Sequence, residues 1–143
     1  MARVCTVDAS VFVAACRPRE PGFAASRAFL AAVRAQGVPL IEPAVLPVEV
    51  ASALVRAGSR AELAREFALS LVALPTLTLV TIDTRFAEQA VDAAAATRMR
   101  AADVLYTTVA LHFGSRLVTL DAEQLARAPK AVEATSPQGD ASK

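Results

Sequence analysis

Four acidic residues stand alone in apolar surroundings: Asp8 in VCTVDASVFVAA, Glu49 in VLPVEVASALV, Asp103 in AADVLYTTVAL and Asp121 in RLVTLDAEQL. Carboxylates are rarely buried without a partner, so each of these needs a reason. A helix cap accounts for one such residue; four of them, spread along the whole chain, read as one site assembled in three dimensions. At a separation of about 4 Å and an effective dielectric of about 20, two carboxylates repel by about 4 kcal/mol. They must then share protons or hold a cation. An all-oxygen donor set suits a hard divalent ion, Mg2+ or Mn2+. Zinc is disfavoured, because the only histidine is His112 and the two cysteines are Cys5 and Cys16, which leaves no Cys/His ligand set.

Each acid also has a plainer reading. Asp8 in TVDAS and Asp121 in TLDAEQ both fit the N-cap of a following helix. Asp103 fits an ordinary acid in a helix first turn, where the macrodipole favours it by about 0.3–1 kcal/mol. Glu49 is harder to explain structurally, since its helix is apolar nearly all round and it shares a face with Leu46 and Ala53. Asp83 is the control: TIDTRFAEQ imitates TLDAEQ, and pattern alone does not separate them. Ser10 and Thr119 are polar neighbours with equally ordinary backbone roles open to them. His112 reads as a surface or boundary residue rather than a base.

The elements that must position these residues alternate between strand and helix. Strands are expected at 3–7, 39–42, 76–82, 116–120 and near 131–133. Helices are expected at 9–15, from Phe23 to Gln36, from Val45 or Pro47 to Ala57, from a cap at Ser59 to about Ala73, from Asp83 or Thr84 to Thr97, at 101–113 and at 122–127. That alternation predicts a three-layer α/β sandwich with a mainly parallel central sheet of about four to five strands flanked by helices. Asp8 and Asp121 each follow a strand, and Glu49 and Asp103 each lie near a helix start. All four therefore converge on one edge of the sheet, where ligands bind in such folds.

At 143 residues the chain reads as a single domain over 1–134, followed from Thr135 by a polar stretch expected to be disordered. The core must be built from Ala, Val and Leu, because the chain has no Trp and one tyrosine, Tyr106. No apolar run approaches the ~20 residues of a membrane span. The start MARVCTVDAS lacks the pattern of a secretion signal, so a cytoplasmic protein with two buried or near-buried thiols is expected. Net charge is +1, and with the four isolated acids set aside the remainder is clearly basic, which favours a polyanion near the site. Every basic residue but Lys130 and Lys143 is arginine, which suits bidentate phosphate contacts, although a GC-rich coding sequence explains the bias more plainly.

The order of VDASVFVA, PVEVASAL, RMRAADVLYTTVAL and RLVTLDAEQLARA along the chain resembles the PIN-domain ribonucleases, and within them the VapC-type toxins of toxin–antitoxin pairs. The resemblance covers nearly the whole chain. It implies a PIN-like fold and a Mg2+- or Mn2+-dependent endoribonuclease. Asp8, Glu49, Asp103 and Asp121 would be its catalytic metal ligands, with Asp8 and Asp103 in direct contact. Asp121 would bind a second ion or orient the water, and Ser10 and Thr119 would support the group. The position of Asp83 lies outside the family's acidic site. The resemblance further implies a homodimer and a small antitoxin docking as a helix against the segment from Val45 to Leu74. Arg17, Arg19 and Arg100 flank the crevice in sequence and are candidates for RNA phosphates. Alternatives are a PIN-type nuclease of RNA maturation or DNA processing, an inert PIN-like interaction module, and a receiver-type phosphoacceptor domain, for which Lys130 is poorly placed.

Overall fold

The β-branched run ahead of Asp8 forms β1 (Cys5–Val7), buried along its length in the computed structural model, which describes residues 3–141. Four further strands complete a parallel sheet around it: β2 (Leu40–Pro43) and β4 (Arg116–Val118) pair with β1, β3 (Leu77–Val80) with β2, and β5 (Ala134–Thr135) with β4. Their spatial order is β3-β2-β1-β4-β5. Because parallel neighbours need a crossover, helices lie between most of the strands and cover the sheet. These are α1 (Ala9–Ala15), α2 (Phe23–Ala35), α3 (Leu46–Arg56), α4 (Ala61–Val72), α5 (Thr84–Thr97), α6 (Ala101–Phe113), α7 (Ala122–Arg127) and α8 (Pro137–Ala141). The α/β sandwich expected from the sequence is therefore the fold, with its sheet entirely parallel.

The most deeply placed helix is α6. It packs on β1, β2 and β4 and buries Val104, Tyr106, Thr107, Thr108, Val109 and Ala110, so apolar residues cover most of its circumference. Together with Val7, Val11, Leu46, Val50, Leu117 and Val118 it forms the centre of the core. No helix is long and apolar enough to cross a membrane among the described residues.

Several expectations need correction. The cap of α4 is Arg60, not Ser59, and no side chain bonds the helix start. The third strand ends at Val80, because the chain leaves the ladder to let Asp83 cap α5 through Phe86 N–H at 2.8 Å. The fourth ends at Val118, and the Leu120 amide turns to Ser10 Oγ at 3.1 Å instead of continuing the ladder. The last strand is Ala134–Thr135 rather than 131–133, and the polar stretch read as a disordered tail continues into α8, which packs against α2. Composition missed this because the outer edge of β4 demands partners: Leu117 N–H donates to Glu133 O at 2.9 Å and Thr119 N–H to Thr135 O at 3.0 Å. Residues 142–143 of that tail lie outside the described residues. Cys5 is buried in β1, whereas Cys16, at the C-terminal end of α1, is exposed and not near-buried as expected.

Candidate metal centre

The sheet order changes direction between β1 and β4, and Asp8 and Asp121 lie just past the carboxyl ends of those two strands. This is the switch point at which open α/β sheets bind ligands. The register Val7↔Val118 brings the two corners side by side, and Asp8 N–H donates to Val118 O at 2.9 Å. Asp8 caps α1, with Oδ2 accepting from Ser10 N–H and from Thr119 Oγ1, each at 3.2 Å, and it is only 6% exposed. Thr119 Oγ1 in turn accepts from Asp121 N–H at 3.0 Å. Asp121 caps α7, its Oδ1 accepting from Gln124 N–H at 2.9 Å. The capping reading and the site reading thus hold together: a cap fixes one oxygen and leaves charge and lone pairs over. Ser10 and Thr119 stitch the β1–α1 corner to the β4–α7 corner.

Glu49 and Asp103 reach the same edge from α3 and α6. Tyr106 O–H donates to Glu49 Oε1 at 2.6 Å. Burial raises the Glu49 pKa, the tyrosine bond partly lowers it, and the nearby Asp8 charge raises it again. Asp103 Oδ1 accepts from Gln124 Nε2 at 3.0 Å, while its Oδ2 is buried with no hydrogen bond. Its pKa is pushed up to about 6, chiefly by burial and then by the charges of Asp8 and Asp121, with Arg100 opposing and Glu49 adding a little. The fields of all three other acids therefore meet at Asp103. The exposed Arg100 guanidinium sits at the rim, 3.5 Å from Asp121 and 3.6 Å from Asp103.

Asp83 belongs elsewhere: its carboxylate caps α5 beyond β3, which β2 separates from β1. Arg17 is tied to Glu20 at 3.0 Å and to Ala57 O at 3.1 Å, which commits it to structure, and Arg19 is exposed. His112 is exposed, its ring edge-on to Phe113.

Three site neighbours escaped the sequence reading. Glu42 is fully buried at the end of β2, with Oε1 accepting from Val7 N–H at 2.6 Å and Oε2 unpartnered. Burial holds its carboxyl well above the usual range, against the Val7 bond, and Asp8 pushes the same way. The isolation rule that found the other four acids applies equally to LIEP, but the adjoining proline made Glu42 look like a strand end. Tyr106 lies one helical turn from Asp103, on the same face. Gln124 stands three residues after the cap Asp121, the position where Glu or Gln reaches back toward a helix start.

The donor chemistry fits a hard divalent ion: the acids offer only oxygen, and Asp103 presents a buried oxygen lacking a hydrogen bond. Among the described residues, no three acidic, cysteine or histidine side chains stand close enough to grip one ion as they are arranged. An incoming cation would have to draw the carboxylates together.

Residues 5–131 match the PIN domain family. No curated protein matches the chain by sequence. Among solved structures the chain is similar to Mycobacterium tuberculosis VapC20, described as a sarcin–ricin loop cleaving toxin, with a TM-score of 0.73 at 14% identity over 85% of this chain and 93% of that one. It is similar to VapBC2 from Rickettsia felis bound to a promoter DNA fragment, with a TM-score of 0.67 at 12% identity over 93% and 98%. A toxin–antitoxin complex from Klebsiella pneumoniae gives 0.66 at 15% identity over 93% and 97%. At these identities the solved structures establish likeness of fold, and the family match, spanning most of the chain, establishes membership: the chain belongs to the PIN domain family.

Proposed function

We propose that this PIN domain is a Mg2+- or Mn2+-dependent endoribonuclease and the toxin of a toxin–antitoxin pair, acting in the cytoplasm. The observation that carries the nuclease reading is the gathering of acids at the sheet's switch point, where Thr119 links Asp8 to Asp121 and Gln124 links Asp121 to Asp103. Asp8 and Asp103 would hold the cation directly, Glu49 would help to hold it, and Asp121 would hold a second ion or orient water. The ion, when bound, supplies charge neutralisation at the scissile phosphate and a lowered pKa for the attacking water. The protein's own part is preorganisation: Ser10 and Thr119 fix Asp8, Tyr106 fixes Glu49, and the cap bond fixes Asp121. Single-stranded RNA should be hydrolysed with Mg2+ or Mn2+, and EDTA should abolish the activity. Cleavage undiminished in EDTA would overturn the reading.

The toxin reading draws on the structural neighbours: VapC20 is a sarcin–ricin loop cleaving toxin, the Klebsiella structure is a toxin–antitoxin complex, and the Rickettsia structure is VapBC2 on promoter DNA. A surface suited to an antitoxin is present between α3 and α4. Val48 is 67% exposed there, with Val55 and Leu69 also open, around an apolar groove of about 540 Å³. An amphipathic helix fits such a groove. A basic side chain carried by that partner would be drawn to the acidic site. Leu111 and Phe113, exposed near the end of α6, offer apolar surface to another copy of the chain. Light scattering at micromolar concentration should therefore report a dimer, and a strict monomer would remove that part of the proposal. A nuclease of RNA maturation or DNA processing is the alternative, which the presence or absence of a small antitoxin gene beside this one would decide.

A further inference from the structure

Gln124 is fully buried and is held by two of the candidate ligands at once. Its backbone N–H donates to Asp121 Oδ1 at 2.9 Å, and its side-chain Nε2 donates to Asp103 Oδ1 at 3.0 Å. The amide orientation follows from the chemistry, since turning it over would set two acceptor oxygens against each other. Its Oε1 then stays buried without a hydrogen bond. A buried polar group with half its capacity unmet is costly, and an apolar side chain would fill the same space more stably. Packing alone therefore does not explain a glutamine here. What the amide does accomplish is geometric. It occupies Oδ1 of Asp103, leaves Oδ2 without a hydrogen bond and facing only the Arg100 guanidinium at 3.6 Å, and ties Asp103 on α6 to Asp121 on α7 through a single residue.

We infer that Gln124 is a positioning residue that sets the Asp103 carboxylate relative to Asp121 for divalent cation binding. The inference rests on the metal-site reading under the proposed function. The residue acts through Asp103, since its side chain is fully buried behind that carboxylate.

The test is Mn2+ titration calorimetry on the whole chain, comparing wild type with Gln124→Met and Gln124→Leu, which keep the volume and remove the donor. Positioning partners of metal ligands typically contribute about tenfold or more to affinity, so the Mn2+ Kd should rise about tenfold in both variants. Melting temperature in EDTA should stay level or rise. Loss of RNA cleavage at limiting Mn2+ should be recovered at saturating Mn2+, with KM for RNA unchanged. A Kd within twofold of wild type in a folded variant overturns the inference. So does a Kd that rises only in step with loss of melting temperature, which marks a packing role. Should Gln124→Met not fold, Gln124→Asn, which draws the amide back by one methylene, serves the same comparison. Absence of Mn2+ binding by the wild type overturns the proposed function itself, and this inference with it.

Discussion

Asp8→Asn is expected to slow RNA hydrolysis by about 10²–10³-fold while leaving the fold intact, as for loss of one preorganised electrostatic group. The substitution is conservative in shape. An asparagine carbonyl still accepts from Ser10 N–H and Thr119 Oγ1, the bonds that hold Asp8 at the start of α1, and Asn is as good an N-cap as Asp. What disappears is the charge, at a residue 6% exposed and coupled to both Glu49 and Asp103. Asp83→Asn is the matched control. It replaces a cap of the same kind, bonded to Phe86 N–H, at a corner two strands away, and should change the rate little. Steady-state cleavage of a labelled RNA by the two variants separates the cases, and equal losses would show that the acidic site has been misplaced.

Asp103→Asn should stabilise the metal-free protein in a pH-dependent way. The Asp103 carboxyl titrates at about 6 in the fold, against an ordinary value of 3.8. The folded state therefore binds this proton more tightly than the unfolded chain, and the wild type loses stability as pH rises from about 4 through about 6. Asparagine cannot ionise, avoids that loss, and still accepts from Gln124 Nε2. Displacement of the pKa alone would yield about 3 kcal/mol, and screening at the rim reduces the expected gain to about 2 kcal/mol at pH 8. Near pH 4 most of the gain should vanish. Urea unfolding in EDTA at the two pH values checks this, and equal gains at both would rule out relief of carboxylate charge as the cause. Adding millimolar Mg2+ should reverse the ranking of responses, raising the melting temperature of the wild type more than that of Asp103→Asn.

Much of this is legible in the sequence, because it rests on local rules. A strand running into Asp8, caps at Asp8 and Asp121, a helix apolar around Glu49, and Gly114 closing α6 in the left-handed region with φ 63° are all consequences of short-range sequence. The convergence of the four acids followed from the topology those elements imply. What stayed hidden depends on neighbours distant in sequence. Glu42 matters because Val7, on another strand, points its amide at the carboxyl. Tyr106 and Gln124 have unremarkable local contexts, and only packing shows that each donates to a candidate ligand. Arg100 and Arg17 looked equivalent as phosphate contacts, yet Arg100 lies at the acids and Arg17 is anchored to Glu20 and a loop carbonyl.

The pairing of β5 with β4 has a consequence for how much of the chain the site needs. Thr119, whose hydroxyl steadies Asp8, is itself held by its backbone amide to Thr135 O at 3.0 Å. The family match ends at residue 131, short of that support. A chain trimmed to the match would keep all four candidate ligands and lose the clamp on the threonine behind Asp8, so the sequence past 131 supports the candidate site. Proteolytic nicking or a bulky fusion at the C-terminus would reach the acids through two hydrogen bonds, from Thr135 to Thr119 and from Thr119 to Asp8.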